Sequence, residues 1–264
     1  MKEVLVQGRS LPEAYHKAIL ELHRLGDIVS CNDWDQTQKE LSLTMVVENP
    51  LMEPMISKLY IGGFKELQQY VMEVLDGILN FKIGDSETSW EYTYHDRITN
   101  YAVNQGTLNQ VDFVVKELRR SVDSRRAVID VRDNRVDPFN PHPACLQNIQ
   151  YFIRDEKLHC KVLMRSNDAA EATFMNAFAF VMLHKKIANE LGVPVGTYTH
   201  RANSFHCYEK DYTLLQQYVD GINQSPDLVE DITYEYDGFY KDIMEETIPE
   251  IMETVEILKQ RNNE

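Results

Sequence analysis

The sequence predicts an α+β fold: a single domain spanning residues 1–264, with helices flanking one large mixed β-sheet. Three observations support this class. Several segments alternate apolar and polar residues as half-buried strands do. Other segments carry apolar residues at helical spacing. The two kinds of segment follow one another irregularly, without the strand–helix alternation of parallel sheets, and no repeat or linker divides the chain.

The first half of the chain opens with a strand and a capped helix. Residues 3–6 alternate weakly and predict a strand. Ser10 and Glu13 have the spacing of a capping box, and Pro12 suits the first turn of the helix that follows. Periodicity predicts three further elements: a strand at 39–47 and helices at 63–79 and 107–118.

The second half is richer in strands. Three strands are predicted at 127–131, 147–153 and 158–164. The last two are joined by a charged turn at 154–157 and should form a hairpin. A long helix at 169–191 should end at Gly192 and Pro194. The remaining predicted elements are a strand at 196–208 and helices at 212–222 and 243–260.

The charge balance restricts the possible partners. The chain has 27 basic and 42 acidic residues, a net charge of −15. This disfavours nucleic acid and anionic membrane surfaces, which both attract basic faces. The apolar run at 172–183 is too short to cross a bilayer. A phosphate-bearing ligand would therefore need a local cluster of arginines.

The cysteines indicate a reducing compartment. Cys31, Cys145, Cys160 and Cys207 form no CxxC pair and no zinc-ligand spacing with histidine. Residues 1–10 are charged and do not resemble a signal peptide. We therefore expect a cytoplasmic protein with reduced thiols and no bound metal.

Two segments could bind an anion or supply a nucleophile. Arg125 and Arg126 are adjacent at the start of a strand, where they form either a solvated turn or a fork for phosphate. Cys145 follows a proline-rich loop at the mouth of another strand. It is either a buried filler or a rigidly held, accessible thiol.

Two more segments lie at the ends of predicted strands. Arg165 ends an apolar strand, so it should be paired or face a ligand, while Ser166 or Asp168 could cap the next helix. His206 and Tyr208 share one face of a strand. They are either a satisfied core pair or donors for a sugar hydroxyl.

In this order and spacing, these segments resemble the thymidylate synthase and pyrimidine hydroxymethylase family, in particular its archaeal and phage members. The resemblance extends from about residue 91 to 208. The motifs that carry it are Tyr92-Thr-Tyr-His-Asp-Arg97, Ser124-Arg-Arg126, Pro143-Ala-Cys-Leu-Gln147, Arg165-Ser-Asn-Asp168, Asn176 and His206-Cys-Tyr208. It implies transfer of a one-carbon unit from 5,10-methylenetetrahydrofolate to C5 of dUMP, in a homodimer whose sheets pack together.

The resemblance also implies roles around the reacting atoms. Cys145 matches the nucleophile that adds to C6 of the pyrimidine, and Tyr94 matches a tyrosine beside it. Arg165 and Ser166 match phosphate ligands, and a cation near the thiol favours the thiolate. Arg125–Arg126 match arginines that reach the phosphate from the partner subunit.

Further matches concern the base, the sugar and the folate. His206 and Tyr208 match ligands of the ribose, and Asp168 matches a residue where nucleotide and folate meet. Asn176 matches the amide that contacts the base. Because an amide can donate to O4 and accept from N3–H, we expect dUMP rather than dCMP as the substrate.

The chain also departs from the family pattern. Leu146 follows the nucleophile where the common enzymes have histidine, and their N-terminal arginine loop is absent. The helix at 63–77 offers Glu73 as the carboxylate that drives proton removal, with Glu66 as the alternative. Either could also be a solvated helix residue.

Because of these departures, the sequence does not determine which product the reaction would give. Residues 258–264 form a charged tail, whereas the common synthases close the site with an apolar one. Trp90 is the candidate aromatic over the folate, with core packing as the other interpretation. Exclusion of water would give dTMP and dihydrofolate, whereas entry of water would give 5-hydroxymethyl-dUMP and tetrahydrofolate. A non-catalytic relative that kept the fold is the third hypothesis.

Overall fold

A computed structural model describes residues 1–84 and 89–262 of the chain. Residues 263 and 264 of the predicted tail lie outside the described residues. The strands are β1 Glu3–Gly8, β2 Asp27–Cys31, β3 Gln36–Val47, β4 Ile56–Ser57, β5 Tyr101–Val103, β6 Gly106–Leu108, β7 Val128–Asp130, β8 Leu146–Arg154, β9 Lys157–Asp168, β10 Val195–Tyr208 and β11 Thr233–Tyr234. The helices are α1 Leu11–Leu25, α2 Phe64–Asp76, α3 Tyr94–Thr99, α4 Gln110–Arg120, α5 Thr173–Leu191, α6 Tyr212–Gln224, α7 Phe239–Glu246 and α8 Ile248–Asn262.

One seven-stranded sheet organises the molecule. Its order is β1-β3-β10-β9-β8-β7, with β2 paired to β3 at one end. The pairs β1–β3 and β9–β10 are parallel, and the other pairs are antiparallel. The predicted α+β class with a large mixed sheet is therefore confirmed. The predicted hairpin of β8 and β9 is also present, with Asp155 and Glu156 in the left-handed region of its turn.

The two faces of this sheet differ. Helices α1 and α5 pack on one face, where Met45, Val162 and Ile149 are buried in paired strands. On the other face, one row across the strands consists of Leu5, Thr44, Arg201, Leu163 and Asn148. None of these five is fully buried, and Leu5 is 68% exposed. A broad sheet face that includes apolar residues is thus left open.

Several predicted element boundaries were wrong, three of them in helices α4, α5 and α7–α8. Helix α4 begins three residues after position 107, because the Asn109 side chain caps it. Helix α5 begins four residues after position 169, because Asp168 holds the preceding turn. The predicted helix at 243–260 is two helices, α7 and α8, which meet at Thr247. Pro249 has no N–H to continue the hydrogen bonds of α7.

The N-terminal cap also differs in detail from the prediction. The Ser10 hydroxyl accepts from the Glu13 amide at 3.4 Å, as a cap does. The Glu13 carboxylate, however, accepts from the amide of Arg9 and not from that of Ser10. It also pairs with the Arg9 guanidinium at 3.0 Å. None of the helices in the described ranges is both long and apolar enough to span a bilayer.

Candidate active site

Cys145 lies directly before β8 and is half-buried. The neighbouring strand holds it in place, because the amide of Arg165 on β9 donates to the Cys145 carbonyl at 2.8 Å. The Arg165 guanidinium donates to the carbonyls of Ala144 at 3.1 Å and Pro143 at 2.8 Å. The Leu146 amide donates to the Tyr94 hydroxyl at 3.3 Å. The backbone on both sides of the thiol is therefore fixed by hydrogen bonds.

The environment of the thiol has two opposing effects. Burial raises the pKa of Cys145 above that of an ordinary thiol, and the Arg165 guanidinium lowers it by a smaller amount. The sequence correctly placed a cation near the thiol. Burial has the larger effect, because removal from water disfavours the charged thiolate.

A cavity of about 620 Å³ opens in front of Cys145. Its volume is in the range of small-molecule sites. The candidate residues Arg165, Ser166, His206 and Tyr208 line it together with the thiol. The remaining lining residues are Ser30, Cys31, Asn32, Asp33, Trp34, Gln38, Tyr92, Pro141, His142 and Pro143.

His206 and Tyr208 are adjacent on the wall of this cavity. Their ring centroids are 4.7 Å apart in an edge-to-face arrangement. His206 is only 4% exposed, and its Nε2 is buried without a hydrogen-bond partner in the described part of the chain. A buried polar atom of this kind is costly unless a ligand satisfies it. A sugar hydroxyl entering the cavity would do so.

The cavity carries little positive charge within one subunit. Arg165 is the one lysine or arginine among the described residues that line it, and Asp33 lines it as well. Arg125 and Arg126 line a separate cleft with Ser124 and Arg154. Arg126 is exposed and pairs with Glu117 at 3.1 Å. One subunit therefore does not bring the predicted arginines together.

A second cavity of about 330 Å³ lies beside the first. Tyr92 and His142 line both cavities and so form the boundary between them. The other lining residues are Tyr70, Glu73, Val74, Leu79, Trp90, Glu91, Thr93 and Tyr94. The Trp90 ring is 38% exposed and lies 4.4 Å from the Lys82 ammonium. This aromatic wall suits a flat, conjugated ligand.

The two candidate carboxylates have different environments. Glu73 faces the second cavity and accepts from the Gln69 amide at 2.8 Å. Burial raises the pKa of Glu73, and the Gln69 hydrogen bond opposes this effect. Glu66 instead accepts from the backbone amide of Gly63 at 2.7 Å, at the start of α2. Glu66 is therefore engaged in capping a helix, whereas Glu73 is available to a ligand.

The two carboxylate oxygens of Asp168 have different environments. Its Oδ1 accepts from the amides of Ala170 and Glu171, at 2.9 and 2.8 Å, and so orders the turn before α5. Its Oδ2 is buried without a partner among the described residues. Burial raises the pKa of Asp168, and the two amide hydrogen bonds act in the opposite direction. Asp168 does not line either cavity.

Asp168 also belongs to a cluster of three carboxylates. Its ligand oxygen and those of Glu171 and Asp211 all lie within 4.8 Å of one another. The Lys210 ammonium contacts Glu171 at 3.1 Å and Asp211 at 3.4 Å. The Lys210 side chain thus compensates part of the negative charge of these carboxylates.

Asn176 is 6% exposed and lies on the first turns of α5. Its Oδ1 accepts a short hydrogen bond from the hydroxyl of Tyr70 on α2. Tyr70 lines the second cavity, whereas Asn176 lines neither cavity. The amide is therefore one hydrogen bond away from the cavity wall.

Sequence reasoning missed several lining residues. Residues 30–34, at the end of β2 and in the turn toward β3, form part of the cavity in front of the thiol. His142 lies between the two cavities, and Tyr70 contacts Asn176. Tyr70 could be recognised only as an apolar position on α2. The position of residues 30–34 beside the cavity depends on the pairing of β2 with β3, which no local motif indicates.

Comparisons with known proteins show which family the chain resembles. The family model described as "Thymidylate synthase" matches residues 34–244 of the chain. A protein from Methanocaldococcus jannaschii named "Putative thymidylate synthase" is 32% identical over 222 residues, covering 81% of this chain and 95% of that protein. A protein of the same name from Methanosarcina barkeri is 24% identical over 219 residues, covering 83% and 96%.

The balance between burial and Arg165 predicts how Cys145 reacts at different pH. Alkylation of Cys145 should rise with pH, with a midpoint above that of an ordinary thiol, since only the thiolate reacts. Arg165→Gln removes the stabilising cation and should move the midpoint higher still. Arg165→Lys keeps the charge and should leave the midpoint near that of the wild type. Peptide mass mapping after brief iodoacetamide treatment measures this, and a lower midpoint for Arg165→Gln would contradict it.

Proposed function

The chain belongs to the thymidylate synthase family, and from this premise we propose that it is a thymidylate synthase that converts dUMP and 5,10-methylenetetrahydrofolate to dTMP and dihydrofolate. Membership of the family implies a one-carbon transferase that acts on dUMP with this folate as co-substrate. The observation that carries the finer proposal is the position of Cys145. Its thiol opens into a cavity whose other walls present a cation, hydroxyls and an imidazole.

The first step follows from the chemistry of the base. C5 of uracil is not nucleophilic until a group adds to C6. In this proposal the Cys145 thiolate forms the bond to C6, and the electrons move to the O4 side as an enolate. Arg165 supports the thiolate before the attack and contacts the phosphate with Ser166. His206 and Tyr208 hold the ribose, and the free Nε2 of His206 supplies one of these contacts.

The second cavity suits the folate. Trp90, Tyr92 and Tyr94 provide aromatic surface beside the thiol, and Glu73 provides a carboxylate with a raised pKa. When bound there, the folate supplies the one-carbon unit and the hydride. Glu73 would take up the C5 proton through water, which a buried carboxyl group can do near neutral pH. Asp168 is proposed to lie where the two ligands meet.

The base is held by Asn176 in this proposal. Its amide can donate to O4 of uracil and accept from N3–H. Cytosine presents an amino group in place of O4 and an unprotonated N3, so dCMP is the poorer substrate.

The site is proposed to be completed by a second copy of the chain. One subunit places a single arginine in the nucleotide cavity, which is too little for a phosphate dianion in a protein of net charge −15. The open sheet face could pack on its equivalent about a two-fold axis. Gln150, on that face, donates to the Arg125 carbonyl at 2.9 Å, so the arginines lie at its rim. Arg125 and Arg126 would then reach the partner's phosphate.

The alternative product is 5-hydroxymethyl-dUMP. The aromatic wall of the second cavity favours exclusion of water and hence dTMP. The exposure of Trp90 favours the alternative, because water can reach this side of the cavity.

We further propose a cytoplasmic location, where all four cysteines, free in the structure, would stay reduced. Nucleic acid and membranes are not expected partners of so acidic a chain.

The product distinguishes these hypotheses. Incubation of the enzyme with dUMP and methylenetetrahydrofolate should form dTMP with an equal amount of dihydrofolate, measured by mass spectrometry and absorbance. 5-Fluoro-dUMP with the folate should give a covalent complex at Cys145, and Cys145→Ser should abolish both results. Tetrahydrofolate with hydroxymethyl-dUMP would show the alternative. No covalent complex at saturating ligands would indicate a non-catalytic relative.

The environment of Glu73 predicts that its replacement slows removal of the C5 proton. Glu73→Gln keeps the shape of the side chain but cannot accept a proton, so tritium release from 5-tritiated dUMP should fall by about 10²- to 10⁴-fold. Glu66→Gln is the matched control on the same helix. Its amide oxygen can still accept from the Gly63 amide, so stability should change little and release per folded molecule should stay unchanged. Normal release by Glu73→Gln would remove Glu73 from the mechanism.

The shared site can be tested with two inactive variants. Cys145→Ser and the double variant Arg125→Ala/Arg126→Ala should each be inactive alone. When they are refolded together, half of the dimers are mixed and each has one intact site, so about one quarter of the wild-type activity should return. Size-exclusion chromatography checks that dimers have formed. No recovery in mixed dimers would show that the arginines act elsewhere.

A further inference from the structure

The hydrogen bond between Tyr70 and Asn176 joins α2 to α5 beside the second cavity. Tyr70 lies one helical turn before Glu73, so both side chains are on the same face of α2. The rings of Tyr70, Tyr92 and Tyr94 are close enough to one another and to Cys145 to affect one another's titration. Tyr70 is therefore part of the cavity wall near Cys145, although the motifs quoted above do not include it.

The direction of this hydrogen bond determines the orientation of the Asn176 side-chain amide. Burial raises the pKa of Tyr70, so its hydroxyl is protonated and donates to Oδ1 of Asn176. The amide –NH₂ group must then point away from Tyr70. Nδ2 has no hydrogen-bond partner among the described residues, whereas Oδ1 keeps a second lone pair. Asn176 thus offers a free donor next to a partly used acceptor.

We propose that Tyr70 is a positioning residue that sets the base specificity of the site, by holding Asn176 with its –NH₂ group toward the C4 substituent of the pyrimidine. This inference rests on the proposed function, in that it assumes a nucleotide in front of Cys145. An –NH₂ group at this position donates to the C4 carbonyl oxygen of uracil but faces another donor in the amino group of cytosine. Without the Tyr70 hydroxyl the amide can turn over and present Oδ1 to an amino group.

Binding measured in a chemically blocked protein tests this directly. In the Cys145→Ser background, dUMP and dCMP are titrated by calorimetry with and without Tyr70→Phe. The wild-type arrangement should favour dUMP, and Tyr70→Phe should reduce this preference by about tenfold, the value of one neutral hydrogen bond. Asn176→Ala should reduce it as well, and Tyr70→Phe should have no further effect in that background.

Tyr60→Phe is the matched control, since the Tyr60 ring stacks on Phe174 of α5 at 5.2 Å, but Tyr60 lines neither cavity and has no hydrogen bond to Asn176 among the described residues. It should keep the preference for dUMP. An unchanged ratio in Tyr70→Phe, or an equal loss for both nucleotides, would overturn the inference. Failure of the proposed function has a different result: dUMP binds with the expected preference, but the wild-type enzyme forms no product and no adduct with 5-fluoro-dUMP. If neither nucleotide binds, both proposals are wrong.

Discussion

The site depends on the contacts between Arg165 and the backbone next to Cys145. The guanidinium group binds two successive carbonyls, and the Arg165 amide binds a third, so the loop before β8 is tied to β9 over three residues. These bonds hold the backbone of Cys145 at the edge of the cavity. The same guanidinium faces the cavity, so one side chain both builds the site and supplies its charge. Lysine has no planar fork and could not do both.

Electrostatics support the proposal that a second copy of the chain completes the site. The protein is acidic overall, and burial disfavours the Cys145 thiolate more than one arginine favours it. The proposed phosphate would meet only one arginine, Arg165, among the described residues that line the cavity. The arginines that could supply it lie at the rim of the open sheet face, where Arg126 is paired with Glu117. Dimer formation, which would cover apolar residues of this face, would thus also complete the site.

Helices α2 and α5 bring distant parts of the sequence to the second cavity. Glu73 and Tyr70 share one face of α2, and Asn176 on α5 is 106 residues away from Tyr70 along the chain. The packing of these two helices is what makes an amide a directed donor. The environment also distinguishes two glutamates on α2 that look alike in sequence, because Glu66 closes the helix start and Glu73 faces the cavity.

The sequence alone determined the fold class, most of the strands and the residues around Cys145, because strand alternation, helical periodicity and the ordered motifs are local properties. It could not determine that Asn109 and Asp168 shift two helix starts, since caps depend on side-chain geometry. Nor could it determine that residues 30–34 and His142 complete the cavity walls, or that Tyr70 orients Asn176. These contacts join residues far apart in the chain, and only the packed tertiary structure brings them within hydrogen-bond distance.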